Sequence, residues 1–131
     1  MNVYLDIDGV LLANDKNLAN YAEAFIEHVV NKYPTYWLTT HSMTEDTSLA
    51  VENVGKLCKP STVELLKKIK PASWKVAKTE AIDFSTPFLW FDDDLYDEER
   101  EDLVKHNALD SWIEIDLSKN ENQLKDLLKT L

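Results

Sequence analysis

The sequence predicts a three-layer α/β/α domain built around a mainly parallel sheet. Short apolar runs suited to strands alternate with longer segments of helical periodicity, an order that favours parallel strands covered on both faces by helices. Three of these runs also end in polar residues, at Asp6/Asp8, Thr39/Thr40 and Asp92/Asp93. Ligands of parallel α/β sheets gather beyond the carboxyl ends of the strands, so the convergence predicts a site there.

The first strand is Val3 to Val10, an apolar run that carries Asp6 and Asp8 one residue apart with Gly9 directly after them. An extended segment puts residues i and i+2 on one face, with Leu5 and Ile7 anchoring the other. Two like charges this close resist ionisation unless a cation lies between them, and a divalent ion with oxygen ligands is the usual remedy. Glycine occurs only at Gly9 and Gly55. Gly9 stands where a turn or a close backbone approach needs it.

Residues 10–17 read as a loop or small flap. Leu18, Ala22, Phe25, Ile26 and Val29 recur at helical spacing and predict a helix from Leu18 to Lys32, capped by Asn17, with Pro34 just beyond its end. Thr35 to Thr39 is short and rich in aromatic and β-branched residues, as a buried strand would be, and delivers Thr39, Thr40 and His41 to its carboxyl end. Ala50, Val51, Val54, Leu57 and Cys58 place a helix within 44–58, and the capping-box match Ser61-Thr62-Val63-Glu64 opens another through Ile69.

Ser73 to Ala77 is the candidate third strand, and Lys78 opens a helix that ends before Pro87. The continuous apolar run Phe88 to Phe91 reads as a strand covered on both faces and empties into Asp92-Asp93-Asp94. A charged segment from Asp97 to Asp102 forms the outer face of a helix ahead of Leu103 and Val104. Trp112 to Ile115 is the last strand. Ser118-Lys119-Asn120-Glu121 is a second capping-box match, and Leu124, Leu127, Leu128 and Leu131 give the terminal helix its buried stripe.

A chain of 131 residues is expected to form one domain, residues 1–131, and to bury roughly two-thirds of its unfolded-chain surface. Its 44% hydrophobic and 10% aromatic content suits a packed globule, and no apolar run reaches the length of about 20 that spans a membrane. The amino terminus lacks a basic region followed by an apolar core, so no secretory signal is expected and a cytoplasmic location is the default. Cys58 is the single cysteine, expected to be a small buried apolar residue in a reducing compartment. A formal charge of −10 repels phosphate backbones and argues against direct nucleic-acid binding.

Taken together, the motifs resemble those of the haloacid dehalogenase (HAD) superfamily of phosphohydrolases, over the whole length as an order of elements. The resemblance rests on Asp6-Ile7-Asp8-Gly9-Val10 after a strand, Thr39 ending the second strand, a lysine opening a later helix, and Asp92-Asp93 after Phe88 to Phe91. It implies a Rossmann-like sheet, Asp6 as the nucleophile that forms an aspartyl phosphate, and Asp8 as the general acid and then base. It further implies Mg²⁺, held by the Asp6 carboxylate, the Asp8 backbone carbonyl and Asp92 with Asp93 close by. Thr39 would hydrogen-bond a phosphate oxygen. The lysine that balances charge is Lys78, with Lys75 as the alternative and Lys70 more remote.

The intervals after Asp8 and after Thr39 leave room for a minimal cap domain or none, hence an open cleft. The implied activity is a Mg²⁺-dependent phosphomonoester hydrolase acting on a small-molecule or macromolecular phosphate, with a partner subunit as a possible lid. Alternatives on the same fold are a noncatalytic phosphate- or metal-binding or regulatory module, and a phosphotransferase to an acceptor other than water. His41 is more often a loop histidine than a catalytic group. Trp37 and Trp90 are expected in the core, with Trp74 bordering the site.

Overall fold

Four strands form one all-parallel sheet: β1 (Asn2–Leu5), β2 (Thr35–Trp37), β3 (Phe88–Asp92) and β4 (Trp112–Glu114), in the spatial order β2-β1-β3-β4. This is the computed structural model of the chain, and it describes residues 1–131. Five helices surround the sheet: α1 (Ala22–Lys32), α2 (Ser48–Gly55), α3 (Pro60–Leu66), α4 (Asp97–Lys105) and α5 (Gln123–Leu128). None is long and apolar enough to cross a membrane. The arrangement is α/β and consistent with a Rossmann-like sandwich.

Alternation along β1 divides the interior. Val3 and Leu5 point into a core of 19 buried residues shared with Phe25, Ile26 and Val29 of α1, Leu66 of α3 and Leu124 of α5. Tyr4 points the other way, into a core of 8 that includes Trp90 of β3 and Leu103 of α4. On the first face α1 packs against α3 and α5, and α2 against α3; on the second, α4 packs against the 3-10 turns Lys78–Ala81 and Leu109–Ser111.

The first strand stops at Leu5, earlier than its apolar run suggests. The Ile7 carbonyl accepts the N–H groups of Val10, Leu11 and Leu12, which rolls the chain into a turn. Asp6 and Asp8 therefore do not share one extended face. The expected flap is present: Leu12 bridges antiparallel to Leu18, Ala13 N–H donates to the Asn17 carbonyl, and Ala19 N–H donates to Leu11. Because residues 18–21 complete that return and Tyr21 is left-handed at φ 64°, α1 starts at Ala22 rather than Leu18, and Asn17 does not cap it.

Both capping-box expectations also fail. Pro60 opens α3 at its first turn, while Glu64 pairs with Lys67 at 3.1 Å. The Ser118 hydroxyl turns back to Asp116, and α5 begins only at Gln123. Ser73 to Ala77 is not a strand. The N–H groups of Lys75, Val76 and Ala77 all donate to the Glu80 carboxylate, so one side chain takes the donors a sheet ladder would have used. On α4, Asp97, Glu98, Arg100 and Glu101 are exposed and Leu103 is buried as expected, whereas Glu99 is buried and Val104 exposed.

Candidate metal centre

Strand register sets the site. Leu5 is opposite Phe91 and Asp6 N–H donates to the Phe91 carbonyl at 3.1 Å, so Asp6 and Asp92 leave neighbouring strands at the same level. Leu38 N–H donates to the Leu5 carbonyl, which sets Thr39 on the other flank of Asp6. Strand order reverses between β1 and β3. Such a switch point opens a crevice at the carboxyl end of the sheet.

Into that crevice Asp6, Asp92 and Asp93 bring carboxylate oxygens that all lie within 4.8 Å of one another. Asp6 and Asp92 are buried. The ammonium of Lys78, from the turn after the irregular segment, lies 2.7 Å from Asp92 Oδ2 and 3.4 Å from Asp6 Oδ2. Each aspartate is also held through its other oxygen: Ile7 N–H donates to Asp6 Oδ1 and Asp94 N–H to Asp92 Oδ1. The indole N–H of Trp90 donates to Asp92 Oδ2 at 3.1 Å, whereas those of Trp37, Trp74 and Trp112 have no partner. Trp90 is thus tied to the site as well as to the core.

Lys78 is placed from outside the cleft. Its own N–H donates to Glu99 Oε2 at 2.8 Å, and Glu99 Oε1 accepts the Tyr96 N–H at 3.1 Å. Thr79 adds a 2.6 Å hydrogen bond to Asp102. The buried Glu99 thereby fastens the start of α4 to the turn that carries the lysine. Lys75 is exposed and lines a neighbouring hollow with Met43 and Ser73 instead.

Three carboxylates against one ammonium leave uncompensated negative charge. Burial first, and the charge of Asp6 second, push the Asp92 carboxyl well above the usual carboxylate range, against the pull of Lys78. Asp93 is raised for the same two reasons. Burial works to lower the Lys78 pKa, but the charges of Asp6 and Asp92 outweigh it and the net direction is up, so the ammonium stays protonated. For Asp8, burial is the largest single influence and acts upward, but the hydrogen bond with His41 together with Lys16 carries the net shift down.

Asp8, Thr40, Trp74, Asp93, Asp94, Tyr96 and Glu99 line the cleft with Asp6, Lys78 and Asp92 around a volume of about 210 Å³. Thr39 itself is fully buried, and its hydroxyl oxygen accepts the His41 N–H at 3.2 Å. Thr40 is therefore the threonine in the lining. His41 lies 2.8 Å from Asp8 through Nε2. A larger hollow of about 550 Å³ between the flap and residues 117–121 gathers no cluster of paired charges. Cys58 is half-buried in the turn beyond α2, its thiol pushed up to about 11 by burial and the charge of Glu23.

The donor set fits a hard divalent cation. It is made of carboxylate oxygens, and the Asp8 carbonyl oxygen accepts no hydrogen bond from the protein. Gly9 makes the packing around it possible: at φ 79°, a β-carbon there would lie 2.6 Å from Asp93 Cγ and 2.8 Å from Asp93 Cβ. Gly9→Ala is expected to cost roughly 1–2 kcal/mol in backbone strain, with displacement of Asp93 in addition. Urea unfolding checks the first effect, and a divalent-cation titration checks the second. Comparison of the chain with models of protein families, with curated proteins and with solved structures finds no match.

Proposed function

We propose that the chain is a Mg²⁺-dependent phosphomonoester hydrolase working through an aspartyl phosphate, on the haloacid dehalogenase plan that its motifs resemble. The observation that carries this reading is the gathering of Asp6, Asp92 and Asp93 within 4.8 Å, bridged by Lys78. These are the residues the resemblance names, brought together by a register that sequence order alone does not supply.

In this reading Asp6, with Oδ1 anchored by the Ile7 N–H, attacks phosphorus through its other oxygen. A carboxylate is ionised at neutral pH and needs no base to become a nucleophile. Lys78 offsets negative charge on the phosphoryl group as the two anions approach. Asp8 gives a proton to the departing oxygen while the ester bond breaks, then takes one from the water that opens the Asp6–phosphorus bond and releases phosphate. Mg²⁺, held by Asp6, Asp92 and the Asp8 carbonyl with Asp93 alongside, would screen the like charges of nucleophile and phosphate.

The interval after Asp8 holds the small flap and α1, and the interval after Thr39 holds α2 and α3, which pack into the main layer. This agrees with a minimal cap or none and with a substrate whose bulk stays outside the cleft. A panel of aryl, sugar, amino-acid and nucleotide phosphates assayed with and without Mg²⁺ tests the reading. Metal-dependent phosphate release is expected, and no release from any member would sink it.

Binding of the cation has to displace protons from the raised carboxyls. Asp92 and Asp93 contribute stability that is fully present below the ordinary carboxylate pKa and lost as pH rises through their raised values. The metal-free protein therefore carries more strain in this cluster as pH climbs, and Mg²⁺ relieves it. The rise in Tm on adding Mg²⁺ is expected to be larger at about pH 8 than at about pH 5.5. Thermal melts at the two pH values check this, and an equal or reversed difference counts against it.

A further inference from the structure

Asp8 sits on a loop and is half exposed, yet its carboxylate has a fixed partner. His41 Nε2 lies 2.8 Å from Asp8 Oδ2, and His41 Nδ1 lies 2.8 Å from Asn53 Nδ2 on α2. The His41 backbone N–H is itself bound to Thr39, so the imidazole is held at both ring nitrogens and at its root. An amide nitrogen has only protons to offer. Nδ1 must present its lone pair to it, which leaves the single proton of a neutral ring on Nε2, directed at Asp8. The other carboxylate oxygen, Oδ1, has only Lys16 at 3.5 Å, a side chain that is 73% exposed.

We propose that His41, oriented by Asn53, is a positioning residue that gives the two Asp8 oxygens different tasks: Oδ2 is a standing acceptor and Oδ1 carries the proton that moves. The use made of that proton rests on the hydrolase reading above; the tautomer and the contact do not. An oxygen already accepting Nε2–H is the poorer place to add a proton, so the acid form of Asp8 is protonated on Oδ1. In ester cleavage the Oδ1–H bond breaks as the leaving oxygen gains the proton and its bond to phosphorus breaks. In the second step Oδ1 takes a proton from water as the water oxygen bonds to phosphorus and the Asp6–phosphorus bond breaks.

Without His41 the carboxyl can rotate and protonate on either oxygen. The loss falls on esters whose leaving group must be protonated as it departs, and spares those whose leaving group is stable as an anion. The test compares phenyl phosphate with p-nitrophenyl phosphate in the presence of Mg²⁺, through kcat/KM, which reports events up to ester cleavage. His41→Ala is expected to lower the phenyl value about tenfold more than the p-nitrophenyl value. His41→Gln, whose Nε2 amide can donate to Asp8 from nearly the same place, should bring the ratio to within about threefold of the wild type.

Equal losses on the two esters, or no recovery with glutamine, overturn the positioning role while leaving the hydrolase reading intact. A wild-type protein that hydrolyses neither ester nor any other phosphate of the panel above overturns the hydrolase reading and the proton-carrying half of the proposal with it. The orientation has its own readout: ¹⁵N NMR of His41 in the resting protein should show a protonated Nε2 and a bare Nδ1. Asn53→Asp, which accepts where asparagine donates, should move the proton onto Nδ1. A protonated Nδ1 in the native protein overturns the proposal whatever the activity.

Discussion

On the hydrolase proposed above, Asp6→Asn is expected to leave a folded protein that has lost Mg²⁺-dependent phosphate release, with kcat down by at least about 10³-fold. An amide oxygen cannot open an attack on phosphorus, but it can still accept the Ile7 N–H that anchors Oδ1 at 2.8 Å. The local turn therefore survives the substitution. The charge of Asp6 is gone, and Asp92, which Asp6 pushes upward, is relieved. The Tm of the metal-free variant is expected to rise slightly, while the stabilisation by Mg²⁺ shrinks. Turnover at saturating Mg²⁺ and paired thermal melts check the two halves; activity near that of the wild type would remove Asp6 from the chemistry.

The second large effect is expected at Lys78. Its ammonium is nearly enclosed and lies between two buried carboxylates, at 2.7 Å and 3.4 Å. Lys78→Met removes the cation that offsets Asp6 and Asp92, a change expected to cost about 3 kcal/mol, the scale of breaking a buried pair. In urea unfolding without metal the loss should appear in full, and Mg²⁺ should restore part of it by supplying positive charge to the same oxygens. Turnover should fall about 10²-fold or more, the usual scale for losing one group that stabilises transition-state charge. Lys75→Met should stay within about 0.5 kcal/mol, as exposed substitutions do. A Lys75 variant that behaves like Lys78→Met would reverse the assignment between the two.

The strands were legible because buried parallel strands are nearly continuous apolar runs, and Phe88 to Phe91 is such a run. Their ends were less so: the β1 run continues through Ile7, but the Ile7 carbonyl gathers three N–H groups and turns the chain. Helix starts failed where a local motif had a competing partner, as Ser118 had in Asp116. Ser73 to Ala77 has a composition compatible with a strand, and only the position of Glu80 shows where its N–H groups go.

The candidate site divides along the same line. Asp6, Asp8, Asp92, Asp93 and Lys78 could be singled out because each sits at the end of an element with a recognisable pattern. The contacts of His41 with Asp8, of Asn53 with His41 and of Glu99 with Lys78 span 33, 12 and 21 residues, and no periodicity links them. Glu99 shows the difficulty well. Within Asp97 to Asp102 it is one acid among several, and only the packing of α4 against the lysine turn buries it and makes its two oxygens structural.

The unequal cores bear on how the molecule breathes. The face of 19 buried residues holds most of the helices, whereas the face of 8 holds the lysine turn and α4. Regions with less buried apolar contact open at lower free energy than the molecule as a whole. The arm that carries Lys78 is therefore expected to open at lower free energy than the larger face. Such an opening would separate the cation from Asp6 and Asp92 and admit solvent to the cleft without global unfolding. Two tethers, Glu99 to the Lys78 backbone and Asp102 to Thr79, join the turn to the helix across that opening.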